Sequence, residues 1–370
     1  APEPPAMRAL RLSAPAILSV ALATMPLCGQ AAPDTGLPVR VGAFLDAYYA
    51  WDFNRPRALD RAFTTQPARH NEFNVNLAHL EAVLSAPKVR GRLALQYGTS
   101  VQANYEGEPR VGSRSGGEIA RHLQEATIGV QLAPSLWLDG GISLSHIGSE
   151  SWISRDNLTY TRSLIADFSP YYQSGVKLTW QASSSVTAQL HVVNGWQTIS
   201  ESNSDKSIGG RIDWVASPRV TVSAYNLIGN ELPDSVERRV RVFHGTSVKV
   251  TPNARVTLQG TLDYGWQALG DGTGRWYGFA LVGRMQLTGS AALVGRVERY
   301  EDPKQVIVAT GSGTSFRAGG GSIGLDVTPA PRLLWRTELR GLTGDGAIFP
   351  ARGPPTTSTA FVVSSLALTL

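Results

Sequence analysis

The sequence has one cysteine, Cys28, and nowhere more than two adjacent Lys or Arg residues. A chain with a single cysteine cannot build an internal disulfide framework or a metal site of several thiolates. Without basic runs, the formal net charge of +5 carries no nucleic-acid signature. The six histidines show none of the paired spacings of a zinc site. We therefore expect no cofactor, no metal and no nucleic-acid partner.

Long apolar runs are also scarce. Beyond residue 31 no run of 18 apolar residues occurs, so a transmembrane helix is not expected. The one long apolar stretch, 12–27, follows two arginines and is followed by small residues. This pattern predicts a signal peptide over residues 1–31, with Met7 as its natural start, and export of the chain. Residues 32–370 then form a single domain.

What the chain does contain is a recurring turn, in a sequence with 38 glycines and only 17% charged residues. Seven short turns containing Pro, Gly, Ser or Asn each separate two alternating stretches. They are found at 86–88, 133–135, 182–185, 216–219, 251–254, 288–290 and 328–332. Eight longer polar stretches alternate with these turns. They span roughly 55–69, 107–118, 148–169, 199–205, 232–238, 268–274, 303–313 and 344–355.

Seven turns and eight loops make fifteen connections, which join sixteen strands. An even strand number, with short turns at one end and longer loops at the other, is typical of bacterial outer-membrane barrels. The predicted fold class is therefore all-β: a transmembrane antiparallel up-and-down β-barrel of about 16 strands, with short periplasmic turns and longer extracellular loops. A soluble β-sandwich, whose polar face would meet solvent, is the alternative.

The strands alternate residue by residue, which separates two faces. In 255–266, Leu258 and Leu262 share one face and Gln259 and Asp263 share the other. A Lys or Arg on the lipid face costs about 2–4 kcal/mol near the bilayer midplane, so the polar face must line the lumen. The alternation slips within 73–86, which predicts a β-bulge.

Charged residues recur on the polar face of most strands, and cations outnumber anions among them. This excess predicts a modest preference for anions, whereas arginine–carboxylate ladders that only brace the wall are the alternative. The expected lumen residues are Arg40, Asp46, Arg90, Arg92, Glu125, Lys177, Arg211, Asp213, Asp263, Arg284, Arg296, Glu298, Arg336, Glu338 and Arg340.

Eight of the nine tryptophans lie near predicted strand ends, as in the aromatic belts at two membrane interfaces. Trp137, Trp180, Trp214 and Trp335 lie beside short turns, and Trp51, Trp196, Trp266 and Trp276 lie at the opposite ends. The alternation along each strand places six of these eight tryptophans on the apolar face and Trp137 and Trp276 on the polar face.

Several segments resemble the OmpL-like β-barrel porin family of outer-membrane proteins. They are 73–87, 91–98, 123–132, 138–150, 160–180 and 192–199, which read FNVNLAHLEAVLSAP, GRLALQYG, LQEATIGVQL, LDGGISLSHIGSE, YTRSLIADFSPYYQSGVKLTW and VVNGWQTI. The resemblance is clearest over 40–200 and implies an outer-membrane pore. Many such barrels end in an aromatic residue, whereas this chain ends in Leu370.

The stretch 148–169 is the longest of the eight loops. By analogy with sixteen-stranded porins, whose third loop often folds inward, it would form a constriction with opposed charges. A solvated outer loop is an equally open alternative. The constriction candidates are Glu150, Arg155, Asp156, Arg162, Asp167 and Phe168.

No catalytic set is expected. The segment 319–324 matches GxSxG and GxGxxG, but both motifs need a strand-to-helix turn and no helical pattern follows. We expect a passive diffusion pore for small hydrophilic solutes in the outer membrane, surrounded by lipid and lipopolysaccharide, and a homotrimer is one expected assembly. A class-specific channel and a non-conducting barrel, such as an outer-membrane enzyme or adhesin, are the alternatives.

Overall fold

The computed structural model describes residues 38–370. The predicted signal peptide and Cys28 lie outside the described residues. Sixteen strands form one closed barrel in which each strand pairs antiparallel with its neighbours in sequence, and the first pairs with the last. The predicted fold class and strand number are confirmed.

The strands have the following bounds: β1 Val39–Asp52, β2 Phe73–Ser85, β3 Val89–Tyr97, β4 Leu123–Ala133, β5 Leu136–Leu144, β6 Tyr172–Gln181, β7 Val186–Val193, β8 Ser207–Ser217, β9 Val220–Asn230, β10 Val240–Asn253, β11 Val256–Leu269, β12 Gly272–Gln286, β13 Ala291–Asp302, β14 Phe316–Ala330, β15 Leu333–Gly344 and β16 Ser358–Thr369. Three short α-helices lie between strands: α1 Thr99–Asn104, α2 Gly117–Ala120 and α3 Leu164–Asp167. No helix within residues 38–370 is long and apolar enough to span a membrane.

The predicted alternation appears directly as two faces of the sheet. On β11, Leu262 is 64% exposed on the outer face, whereas Asp263 is 4% exposed on the inner face. The outer face carries exposed apolar side chains because lipid is its solvent, and the inner face carries the polar ones. The charged residues of the strands therefore point mainly into the barrel.

The predicted bulge occurs in β2. Asp46 of β1 pairs with Leu77 and Ala47 pairs with Val75, which leaves Asn76 as an extra residue. Its side chain is buried and donates to Asp46 from 2.8 Å. The extra residue thus adds a polar group to the inner face, as bulges commonly do near functional sites.

The sixth long loop was predicted wrongly. Instead of a long stretch over 268–274, β11 and β12 continue to a connection of only two residues, 270–271. Gly272 has φ +136°, a conformation that glycine adopts without strain. A two-residue hairpin can therefore close here, and the glycines counted as loop composition belong to the turn and the strand.

Three tryptophans differ from the predicted belts. Trp276 is 1% exposed and faces inward, and Trp137 contacts Arg90 on the inner face. Trp196 packs against Phe243 and Trp276 inside the barrel, because β7 ends at Val193 and strand parity does not extend beyond it. The outward tryptophans still form belts at both ends, with Trp180, Trp214 and Trp335 beside the turns and Trp51 and Trp266 beside the loops.

Candidate functional site

The connection between β5 and β6, residues 145–171, lies inside the barrel; we call it the third loop. Its Ser154 hydroxyl donates to Asp46 of β1 at 2.8 Å, and its Thr161 amide donates to Glu338 of β15 at 2.7 Å. Asp46 and Glu338 both point into the lumen, so only an inward-folded loop can reach them. Its effect on conduction stays a prediction.

Four buried charges of the β13 and β15 wall hold the returning arm of the loop. The Glu298 carboxylate accepts from Arg296 at 3.1 Å and from Arg340 at 2.8 Å, while Arg296 also reaches Glu338 at 3.3 Å. The Leu164 amide at the start of α3 donates to Glu298 at 2.7 Å. These predicted lumen residues therefore lie beneath the third loop, where they brace it.

Arg336 holds the outgoing arm in the same way. Its guanidinium donates to the carbonyl oxygens of Ser154 at 2.6 Å and Leu158 at 2.7 Å, and it pairs with Asp326 at 2.9 Å. Arg284 also pairs with Asp326. Sequence reasoning missed Asp326, although its place between two apolar residues of a strand was a sufficient signal.

Two buried aspartates join the loop to opposite walls. Asp46 binds Asn76 of β2 and Ser154 of the third loop. Asp263 of β11 accepts from the Tyr225 hydroxyl at 3.2 Å and the Ser169 hydroxyl at 3.3 Å. Both were predicted as lumen residues, and the structure gives both a partner in or beside the third loop.

The wall of β2 to β6 is less covered, and its charges form pairs along the inner face. Arg92 lies 2.7 Å from Glu81 and 3.1 Å from Glu125. Arg90 donates two hydrogen bonds to Asp139, one of them 2.6 Å long. Glu81 and Asp139 were missed by sequence reasoning, because the lumen set was chosen mainly for its cations.

Further cations of the inner face lie on β1, β6, β8 and β10. Arg211 pairs with Asp213 at 2.8 Å and donates to two carbonyl oxygens at the start of the third loop. Lys177, Arg40 and Lys249 have no carboxylate within 4 Å among the described residues. Lys249, which sequence reasoning missed, shares the inner face of β10 with Ser247.

Of the constriction candidates, Glu150 and Arg162 bind within the loop. Glu150 accepts from the Ser163 amide at 3.0 Å, and Arg162 lies 3.6 Å over the Tyr171 ring. Ser163 also caps α3 by accepting from the Ala166 amide. These contacts fix the shape of the loop, and neither charge is presented freely to the lumen.

Asp167 and Phe168 bind the loop to its surroundings. Asp167 accepts from the Thr65 hydroxyl at 2.7 Å, and burial raises the pKa of this carboxyl above its ordinary value. Phe168 packs on Tyr300 of β13, with ring centroids 5.0 Å apart. Only two of the six candidates, Arg155 and Asp156, are exposed, and Arg155 donates to the Thr369 hydroxyl at the turn end of β16.

At the start of the third loop, His146 stacks on His191 of β7 with ring centroids 4.0 Å apart. Its Nδ1 lies 2.8 Å from the Gln173 side chain and its Nε2 lies 2.9 Å from the Asn226 carbonyl oxygen. Burial lowers the pKa of His146 below its usual 6.5. Among the described residues, no group of three or more His, Cys, Asp or Glu is placed to hold a metal.

Above the third loop, the long loops enclose a cavity of about 1060 Å³. Its lining carries both charge signs, including Asp60 and Arg69, and aromatic side chains, including Phe63 and Tyr105. Residues of the first, second, third, fourth, seventh and eighth loops contribute to it. This cavity lies on the loop side of the third loop.

Comparisons with known proteins agree with this geometry. The model of the family described as "Putative beta-barrel porin-2, OmpL-like" matches residues 38–370, the whole described barrel. No curated protein matches the sequence.

Solved structures of similar fold include other outer-membrane proteins. The outer membrane channel DcaP of Acinetobacter baumannii is 11% identical, with a TM-score of 0.61 over 91% of this chain and 98% of that one. An anion-selective porin from Comamonas acidovorans is 11% identical, with a TM-score of 0.58 over 90% and 100%. OmpT of Vibrio cholerae in a trimer form is 8% identical, with a TM-score of 0.55 over 90% and 99%. At such low identity these likenesses show the fold alone.

The match to the family covers far more than half of the sequence, and the closed barrel has the wet, charged interior that a pore requires. The chain belongs to the OmpL-like porin-2 family and is a porin of the bacterial outer membrane.

Proposed function

We propose that this porin carries small hydrophilic solutes by passive diffusion and prefers anions to cations. One observation carries the preference: in three wall pairs the guanidinium is more exposed than its carboxylate partner, although Arg92 also pairs with Glu81, which is 20% exposed. The exposed fractions are 35% against 7% for Arg90 and Asp139, and 34% against 9% for Arg92 and Glu125. An ion in the lumen therefore approaches the positive end of each pair.

The third pair and the unpaired cations point the same way. Arg284 is 26% exposed while its partner Asp326 is 3% exposed. Arg40, Lys177 and Lys249 lie on the inner face of the barrel without a carboxylate within 4 Å among the described residues. The Arg211–Asp213 pair is reversed, with Asp213 the more exposed partner, and reduces the excess. The positive charges in the lumen outweigh this exposed carboxylate, and we therefore expect a modest preference for anions.

Reversal potentials of the refolded protein in planar bilayers, under a gradient of potassium chloride, test this proposal. We expect chloride to be preferred over potassium. Replacing Lys177 and Lys249 by Gln together would lower the permeability ratio about two- to fivefold, since a charge 4 Å away in water contributes about 1 kcal/mol. The control is Arg238→Gln, which removes a 71% exposed charge of the 231–239 loop. Clear cation selectivity contradicts the preference, and absence of conductance steps contradicts the pore.

We also propose a homotrimer whose contact is the outer face of β15, β16, β1 and β2 together with the turn-side halves of β13 and β14. Two concavities lie there, of about 650 Å³ and 380 Å³, and Trp335 borders both. Small outward side chains such as Ala47 and Ser364 leave the larger of these concavities unfilled. Such a surface can receive side chains of a neighbouring barrel, in keeping with the burial that stable assemblies require.

A further inference from the structure

The outer face of the barrel is almost free of charge, with one exception. Within the sixteen strands, the charged residues at outward positions are Arg275 on β12, Arg299 and Glu301 on β13, and Arg317 on β14. All four lie on three neighbouring strands at their loop ends. A lipid-facing charge costs about 2–4 kcal/mol at the midplane and about 0–1 kcal/mol near the interface, so the loop ends are where such a cluster is tolerated.

Register and exposure fix the direction of these side chains. Arg299 lies two residues from Val297, which is 54% exposed on the outer face of β13. Arg317 pairs with Glu301, and Glu301 pairs with Tyr277, which is 48% exposed on β12. Side chains of one cross-strand row share a face, so the cluster points away from the lumen.

The contacts arrange the cluster around one carboxylate. Glu301 accepts from Arg299 at 2.8 Å and from the Tyr277 hydroxyl at 2.7 Å. Arg317 lies 3.7 Å from Glu301 and 3.7 Å from Asp345, distances too long for hydrogen bonds. Arg299 also lies 3.6 Å from Asp345. The Arg299 and Arg317 side chains are 38% and 42% exposed, so part of each guanidinium faces the lipid side.

The position of the cluster along the strands places it at the level of the lipid headgroups. Arg275 pairs across the strands with Trp266, an outward tryptophan of the loop-side belt. Toward the midplane, the outward residues become apolar, beginning with Phe279 and Leu281. The loop end of such a barrel is extracellular, so the guanidiniums lie at the outer-leaflet interface.

We propose that Arg275, Arg299 and Arg317 form a binding site for a phosphate group of an outer-leaflet glycolipid of the lipid A type. Three guanidiniums against the two carboxylates of Glu301 and Asp345 leave a net positive charge on the lipid side. The planar guanidinium fork matches phosphate oxygens, and the apolar wall below receives acyl chains. The proposal rests on the outer-membrane location and is independent of what the pore conducts.

Native mass spectrometry of the refolded full chain, incubated in detergent with bisphosphorylated lipid A, tests this site. We expect the doubly substituted R299Q/R317Q barrel to bind the lipid at least about tenfold more weakly, since each charge-assisted hydrogen bond is worth more than a neutral one. The R238Q barrel serves as the matched control and retains wild-type binding. The E301Q barrel, which loses a competing carboxylate but no guanidinium, retains binding or gains it.

Heat-modifiable gel mobility verifies that every variant is folded. Lipid A stripped of its phosphates binds weakly if the proposal is right, and equal binding of the stripped lipid overturns it. Wild-type binding by R299Q/R317Q overturns it as well. If R299Q/R317Q changes the oligomeric state without losing lipid, the cluster is a contact between copies of the chain. If equimolar inorganic phosphate displaces the lipid, the cluster binds free phosphate. Either result overturns the lipid site.

Discussion

At the scale of single residues, Glu298 is a carboxylate shared by two buried guanidiniums and one loop amide. Arg296 and Arg340 are both completely buried, and Glu298 compensates the charge of Arg340, while Arg296 is shared between Glu298 and Glu338. The arrangement explains how arginines that were predicted to line the lumen also brace the third loop. It also makes Glu298 a position where a small change has a large effect.

We predict that Glu298→Gln lowers the free energy of unfolding by about 3–5 kcal/mol, because it leaves buried guanidinium charge uncompensated. Urea unfolding of the barrel in lipid vesicles, followed by tryptophan fluorescence, measures the loss. Glu237→Gln is the control, since Glu237 is 81% exposed and 3.7 Å from Arg239. Equal urea midpoints for the wild type and the Glu298 variant would contradict the assigned role.

At the scale of elements, period-two alternation predicted the strands well because one face must meet lipid. It also predicted the bulge at Asn76, since an extra residue shifts the alternation. It failed at 268–274, where glycines belong to a tight hairpin, and at Trp196, which lies beyond the end of β7. Contacts such as Ser154 with Asp46 could not be predicted, because they join residues that only closure of the barrel brings together.

The start of the third loop is an element whose anchoring depends on pH. His146 is flanked by Lys177 and Arg211, which lower its pKa in addition to burial. The His191 ring stacks on the His146 ring, and the other contacts of His146 are with Gln173 and Asn226. Above the unfolded pKa of about 6.5 the imidazole is neutral in both states and the contact is intact. As the pH falls, protonation favours the released loop, so the anchoring is lost toward acid.

We therefore predict more frequent conductance transitions at pH 5 than at pH 8 in single-channel recordings. His146→Gln removes the titrating ring at the start of the loop and reduces this difference, whereas His122→Gln, at an exposed histidine of the second loop, leaves it unchanged. A pH dependence that survives in the His146 variant and disappears in the His122 variant would contradict the mechanism.

At the scale of the whole molecule, one side of the barrel is supported inside by the third loop and carries two concavities on its outer face. The third loop is bound to β13, β15 and β1 through Glu298, Glu338 and Asp46. The two outer concavities lie over β13 to β16, β1 and β2. A wall supported from inside would keep its shape when another subunit packs on it, whereas Lys177 on β6 and Lys249 on β10 lie on other strands. We therefore propose that subunit contact and solute passage depend mainly on different sides of one barrel.

This division predicts that Ser364→Trp, which fills the larger concavity beside Trp335, abolishes the trimer without unfolding the barrel. Ser364 accepts from the Trp335 indole at 2.8 Å, so a bulky ring there must project toward the neighbouring subunit. Size-exclusion chromatography with light scattering measures the mass of the complex, and heat-modifiable mobility verifies the barrel. Leu262→Trp is the matched control, because it adds the same ring at a 64% exposed outward position of β11. If the Ser364 variant remains trimeric while the Leu262 variant dissociates, the contact lies on the opposite side of the barrel. If the wild-type protein is a monomer in mild detergent, the trimer itself is ruled out.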